Sequence, residues 1–394
     1  MKDERGQAMD RRQFLSTVGA ATVTALLPGA AFGQRAAGSY SNLLILVELK
    51  GGNDGLNTVV PYTDAAYYQL RPRLAIPREQ VLQLDQASGF NPALEPLMAL
   101  WKQGELGVVQ GVGYPGGNLS HFRSIEIWDT ASRSNQYLSE GWLARVFSLS
   151  PPPSRFAADG VVVGSAEMGP FTGGRTRAVA LANTEQFLRQ ARRAAPASDA
   201  RNQALGHILK VERDIVQAAA NLSGKHEFAT SFPRSAFGNA IRTVAQVAAS
   251  GGGVAAVKVS LGGFDTHSNQ PATHARLLKD LAEGLVSLRS ALEEIRRWDS
   301  TLVMTYAEFG RRPRENLSRG TDHGTANAHL VLGGRVRGGL YGPAPGLSRL
   351  DGDGNPPFAV DFRGLYATAL ERWWGLDAVR ALGSRYAPLD FLKA

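Results

Sequence analysis

Two features of the sequence predict an α/β fold built on a parallel or mixed central sheet. Residues 43–49, 108–113, 254–261 and 301–306 are short apolar runs, nearly continuous rather than alternating, as strands buried on both faces are. Each run empties into glycine or a turn and then into Asp, Ser, Glu or His. The carboxyl ends of such strands form the ligand crevice, so the second feature gathers Asp54, Ser120, Asp265, His267, Glu308 and His323 on one edge. The stretch 301–334 concentrates this pattern. Its strand delivers Glu308, and a turn-rich loop carrying Asp322, His323 and His329 leads to a further apolar run at 330–332.

Length and composition set the frame. A chain of 394 residues suffices for two or three domains, or for one large α/β domain with excursions. Lys and Arg number 43 against 35 Asp and Glu, and the excess is arginine scattered along the chain, which argues for anionic ligands and not for nucleic acid. The absence of cysteine excludes disulfides, thiolate metal sites and a cysteine nucleophile.

The N-terminus reads as an export signal. Arg11 and Arg12 are followed by Gln13, Phe14 and Leu15, then by a moderately apolar run at 16–27, Pro28 and the small-residue stretch 29–33. That order is the signature of twin-arginine export, and about a dozen apolar residues are too few to span a bilayer. Residues 1–34 are therefore expected to be a signal peptide handled by the twin-arginine translocase. The mature domain, 40–394, is expected in the periplasm or secreted, without a stable transmembrane anchor.

In chain order, the first strand opens onto Gly51-Gly52-Asn53-Asp54, which is either a close-approach loop for an ion or a glycine turn with an Asx cap. A helix is expected over 91–103, capped by Asn91 with Pro92 at its first position. After the second strand, Ser120 stands at the start of a helix running to about 132. It fits a nucleophile facing an anion as well as it fits a plain cap, and Arg123, a turn on, is placed to clamp an anionic oxygen. A helical excursion is expected at about 177–250, with His207 and His226 as surface or packing residues. Asp265 and His267 follow the third strand two apart, a spacing that puts both side chains on one face of an extended segment. Leu277, Leu278, Leu281, Leu285, Leu288, Leu292 and Ile295 mark an amphipathic helix over 272–298. Glu308 either binds an ion or pairs with Arg311 or Arg312, and His323 either binds an ion or satisfies its loop. The run 351–355, DGDGN, has the alternating oxygens of a calcium loop but lacks its later glutamate, which makes it a turn. Helices at 363–374 and 376–382 close the chain.

The motifs GGNDGLNTVVPY, NLSHFRS, GGFDTHSNQ, AEFGRR and GTDHGTANAHLVLGG, behind a twin-arginine leader, resemble the exported family labelled domain of unknown function 1501. Their order resembles the alkaline phosphatase superfamily, with which that family is grouped. The resemblance covers essentially the whole mature chain. It implies a three-layer alkaline phosphatase-like sandwich, with a mixed, mostly parallel sheet flanked by helices. It also implies that Asp54 and Ser120 meet a second metal with Ser120 as nucleophile, and that Asp265, His267 and His323 bind the first. Glu308 stands where the pattern has aspartate. Phe309 stands where it has histidine, so one ligand is missing, and Asp322 or His329 would have to compensate. A sulfatase-type precursor motif is not present around Ser120.

The activity expected is hydrolysis of a phosphate or sulfate ester, small or polymeric, by one or two divalent cations (zinc, manganese, magnesium or calcium). Ser120 or a metal-bound water would attack. The rival expectation is a non-catalytic, metal-stabilised binding or assembly factor for an exported polymer or surface structure.

Overall fold

Strand β1 (Leu43–Lys50) lies in the middle of a nine-stranded sheet and is buried along its length except at Lys50. The computed structural model of the chain describes residues 40–174, 176–181 and 226–393. The leader, His207 and most of the expected helical excursion lie outside the described residues. The other sheet strands are β2 (Leu106–Gly113), β3 (Ala158–Val163), β4 (Ala178–Leu181), β5 (Val254–Gly262), β6 (Thr301–Tyr306), β7 (Asn327–Leu332), β8 (Gly339–Tyr341) and β9 (Val360–Asp361). Their order is β8-β2-β7-β6-β1-β5-β3-β4, with β9 also pairing β2.

Every pairing is parallel except those of β7, which runs antiparallel to β2 and β6. The carboxyl ends of β1, β2, β5 and β6 therefore face one edge, as the sequence predicts. The 310–324 segment is an antiparallel hairpin, Gly310–Glu315 with Thr321–Gly324, and not the turn-rich loop expected. It reverses the chain at the crevice edge, which is why β7 must return in the opposite sense.

Alternation along β1 divides the interior into two cores. Leu43, Ile45, Val47 and Leu49 point to a layer formed by the helices Ala236–Ala249 and Gln270–Glu294, through Ile241, Val244, Leu278, Leu281 and Leu285. Leu44 and Leu46 point to the opposite layer, which holds Trp128 stacked on Phe362, Trp142 stacked on Tyr366, and Trp373. Two covered faces make a three-layer α/β/α sandwich, which explains strands that are apolar throughout. The first helix of the second layer, α1 (His121–Thr130), starts just past β2.

Two expected helices are interrupted. Residues 91–103 form a 3-10 turn, Pro92–Leu97, and then a short α-helix, Met98–Lys102, because Pro96 has no N–H to donate. The α-helix Arg363–Thr368 passes into a π turn at Ala369–Trp373. The 351–355 run is a turn, in which Asp351 accepts from the backbone N–H groups of Asp353 and Asn355.

The loop after β1 is fixed by a buried ion pair. Asp54 caps the helical turn Gly55–Thr58, accepting from Leu56 and Asn57, and takes both arms of the Arg71 guanidinium at 2.6 and 3.0 Å. Arg71 also donates to Asn57 and to the carbonyls of Arg312 and Pro313, tying this loop to the hairpin. Burial alone would raise the Asp54 carboxyl, but the Arg71 charge and hydrogen bonds outweigh it and hold it below the ordinary value. A depressed carboxyl stabilises the fold above its unfolded pKa, and that contribution is lost as pH falls from about 4 through the folded value. Arg71→Ala, which leaves Asp54 buried and unpaired, is expected to cost about 3–5 kcal/mol near neutral pH in denaturant titration. The deficit should narrow as the titration is repeated below about pH 4.

Candidate metal centre

Three side chains from different elements meet at the crevice edge. His121 is the first residue of α1, Asp265 lies in the loop after β5, and His323 sits on the second strand of the hairpin. One ligand atom from each falls within 4.8 Å of the others. His267 joins them, its Nε2 standing 3.0 Å from Asp265 Oδ1 and 2.9 Å from His323 Nε2.

Hydrogen-bond partners fix which nitrogen of each imidazole faces the centre. His121 Nδ1 lies 2.9 Å from the carboxylate of Glu308, and His323 Nδ1 lies 2.7 Å from the carbonyl oxygen of Leu119. Both partners only accept, so both Nδ1 atoms carry the proton and both Nε2 lone pairs point inward. Burial, with the nearby positive charge of Arg311, lowers the His323 pKa against the opposing pull of Leu119 and Asp265. Asp265 is the anionic member. Its partial burial would raise its pKa, but Arg311 at 2.7 Å, together with His323 and His267, brings it down to about 2. Two imidazoles that turn Nε2 toward an ionised carboxylate fit a divalent cation.

Arg311 is the buried counterpart of this carboxylate. It donates to the carbonyls of Gly51, Gly52, Phe264 and Thr321 as well as to Asp265. Gly51 must be glycine here: its φ is +115°, and a Cβ would lie 2.4 Å from the Asp265 nitrogen. Glu308 is almost fully buried just beyond β6. One of its oxygens accepts from Gly51 N–H and His121, while the other has no partner among the described residues. The Phe309 ring is buried against both the His121 and His323 rings, with centroids 4.9 and 4.3 Å away.

The structure relocates several expected roles. Asp54 is not at the centre, because Arg71, Gln270 and its own helical turn occupy both its oxygens. Ser120 is the exposed N-cap of α1, makes no side-chain cap bond and is not among the residues lining the cleft. Arg123 points elsewhere: it donates to the carbonyls of Arg133, Ser134 and Gln136, pairs with Glu126 and covers the Tyr137 ring. Asp322 is exposed at the edge, 3.6 Å from His267 Nδ1. His329 is fully buried against Trp128, and burial lowers its pKa to about 3, so it compensates for nothing at this site. Glu308 holds His121 rather than pairing with Arg311 or Arg312. The residue that sequence reasoning passed over is His121, inside the NLSHFRS motif, where attention to the nucleophile position favoured its neighbour. The available signal was an imidazole in the first turn of a helix that starts at a strand's carboxyl end.

His121, Asp265 and Glu308 line one end of a cleft of about 780 Å³. Glu48, Asp129 and Glu167 line its further reach, and Phe122, Ile125, Leu138 and Met168 form apolar walls.

The chain belongs to the family described as protein of unknown function (DUF1501), whose model matches residues 77–382 and leaves the Gly51–Asn57 motif outside the match. Solved structures similar to it include the zinc complex of the C-terminal periplasmic domain of Escherichia coli EptC (10% identity, 74% of this chain and 72% of that one, TM-score 0.35). A second is the PsFucS1 sulfatase from Pseudoalteromonas sp. (10% identity, 89% and 70%, TM-score 0.39). A third is the alkaline phosphatase of the Antarctic bacterium TAB5 (11% identity, 76% and 94%, TM-score 0.31). No curated protein matches the sequence. No helix among the described residues is long and apolar enough to cross a membrane.

Glu308→Gln keeps the shape of the side chain but removes the charge facing His121. Zinc titration is expected to show affinity lowered about 10- to 100-fold, with Ser120→Ala unchanged. Equal affinities in wild type and Glu308→Gln would show that Glu308 does not support the centre.

Proposed function

We propose that this chain is an exported, metal-dependent hydrolase of phosphate or sulfate esters, with water as the attacking nucleophile. The observation that carries the reading is the convergence of His121, Asp265 and His323 at the end of a cleft large enough for a small ester or one end of a polymer. A divalent cation held there would polarise a phosphoryl or sulfuryl oxygen and neutralise charge developing on the leaving oxygen. An imidazole-rich set favours zinc over calcium or magnesium.

The chain's own residues have definite tasks. Arg311 keeps Asp265 ionised and fixed, Glu308 and the Leu119 carbonyl set the tautomers of His121 and His323, and the Phe309 ring closes the inner side against water. Ser120 only occupies the N-cap position of α1, its carbonyl accepting from Ser124 N–H, and Arg123 fastens the loop after that helix. Passage through the twin-arginine route, with the translocase as transient partner, rests on Arg11 and Arg12. The second reading, a metal-stabilised binding or assembly factor, is favoured by the loss of Asp54 to Arg71, which leaves a single metal-ligating group among the described residues.

Elemental analysis of the mature protein, paired with turnover of phosphate and sulfate monoesters and diesters, separates the two. The hydrolase predicts about one ion per chain, turnover abolished by chelation, His121→Ala or Asp265→Ala, and turnover kept by Ser120→Ala. A bound ion without turnover of any ester would leave the binding factor standing. Turnover lost in Ser120→Ala would restore the serine as nucleophile.

A further inference from the structure

The far end of the cleft belongs to no part of the proposed chemistry, and its composition is unusual. Helix α1 lies along the cleft: His121, Phe122, Ile125, Glu126 and Asp129 all line it. Asp129 is eight residues beyond His121, roughly 12 Å along the helix axis. Beside it stands Glu48, almost fully buried, one oxygen of which accepts from Ser260 and faces Lys258 at 3.0 Å. Glu48 Oε1 and Asp129 Oδ1 are buried and accept no hydrogen bond among the described residues. Unsatisfied buried acceptors that line an open cleft await a donor.

No spare positive charge is available on the walls. Among the described lining residues the one Lys or Arg is Lys50, and its ammonium lies 2.7 Å from Glu167. Lys258, behind the wall, is engaged by Glu48. Gly169, at φ +53°, lies close against Lys258 and Asp129. A Cβ there would meet Lys258 Nζ at 2.8 Å and the two Asp129 oxygens at 3.1 and 3.2 Å.

We propose that this end is a specificity subsite for an ammonium group on the ester's leaving-group side, held by Asp129 and Glu48, with an alkyl spacer along Phe122, Ile125 and Leu138. The subsite disfavours a second anionic group, which would find only carboxylates. Burial raises the Asp129 carboxyl to about 7 despite the opposing charge of Lys258, with Glu48 and Glu167 adding to the rise. A positive charge arriving beside it relieves that penalty. The spacer and ester parts of the proposal rest on the hydrolase reading; the ammonium site does not.

The test uses two measurements on the mature protein. Calorimetric titration of the metal-free chain with hexylamine and with 1-hexanol asks for the ammonium site alone. Hexylammonium is expected to bind about tenfold more tightly than the alcohol, and Asp129→Asn, of nearly equal volume, should erase the difference. In the metal-loaded protein, 6-aminohexyl phosphate is expected to exceed 5-carboxypentyl phosphate in kcat/KM by more than tenfold, a ratio that Asp129→Asn collapses toward one. Equal binding of amine and alcohol, or a preference untouched by Asp129→Asn, overturns the subsite. Amine binding that depends on Asp129 without hydrolysis of either ester keeps the subsite and removes the hydrolase. Hydrolysis of both esters at equal rates does the reverse.

Discussion

The crevice is organised by one buried cation. A guanidinium that is almost completely enclosed must find an acceptor for its N–H groups or cost several kcal/mol, and Arg311 finds them in three different loops. It draws in Gly51 and Gly52 after β1, Phe264 and Asp265 after β5, and Thr321 on the hairpin. Each of those loops carries, or lies against, a residue of the metal-ligating group. The position of Asp265 and the approach of His323 thus follow from satisfying Arg311, and Gly51 is glycine because those loops must touch.

Two aspartates show how far local sequence determines fate. Gly51-Gly52-Asn53-Asp54 and Gly262-Gly263-Phe264-Asp265 are the same pattern, at the ends of two neighbouring parallel strands. Asp54 is enclosed by Arg71 and Gln270 and becomes part of the scaffold, whereas Asp265 takes one arm of Arg311 and keeps a side chain 46% exposed. Nothing within either motif distinguishes them. The difference lies in whether the partnering arginine comes two-armed from within the neighbouring loop or has most of its donors already committed to carbonyls.

That contrast explains what was legible in the sequence. The strands could be read because burial on both faces leaves a continuous apolar run, and the long helix because Leu277, Leu281, Leu285 and Leu288 repeat on one face. The common edge of the chemical residues could be read from strand polarity. Partner choice could not: Arg123 reads as an oxyanion clamp and Arg311 as a partner for Glu308, and only the fold shows one covering Tyr137 and the other locked beneath Asp265. Ser120 and His121 are adjacent, yet the start of α1 turns the imidazole toward Glu308 and leaves the hydroxyl exposed. The hairpin escaped notice because its strands are charged and short, without the alternation that marks a half-buried pair.

The charges of the cleft close the argument. Glu48 is matched by Lys258, Glu167 by Lys50, Glu126 by Arg123 and Asp265 by Arg311. Glu308 and Asp129 line the same cleft with no lysine or arginine in ion-pair contact among the described residues, and each has an oxygen without a hydrogen bond there. One stands beneath His121 and the other about two turns of α1 away. A folded protein that leaves two enclosed carboxyl groups uncompensated carries a standing cost, which positive charge from outside relieves. At the Glu308 end the convergent imidazoles specify that charge as a metal ion. At the Asp129 end there is no such nitrogen set, the walls are apolar, and the charge that fits is an organic cation. The two ends of one helix face thus suit two kinds of cation, a metal ion beside His121 and an organic cation beside Asp129.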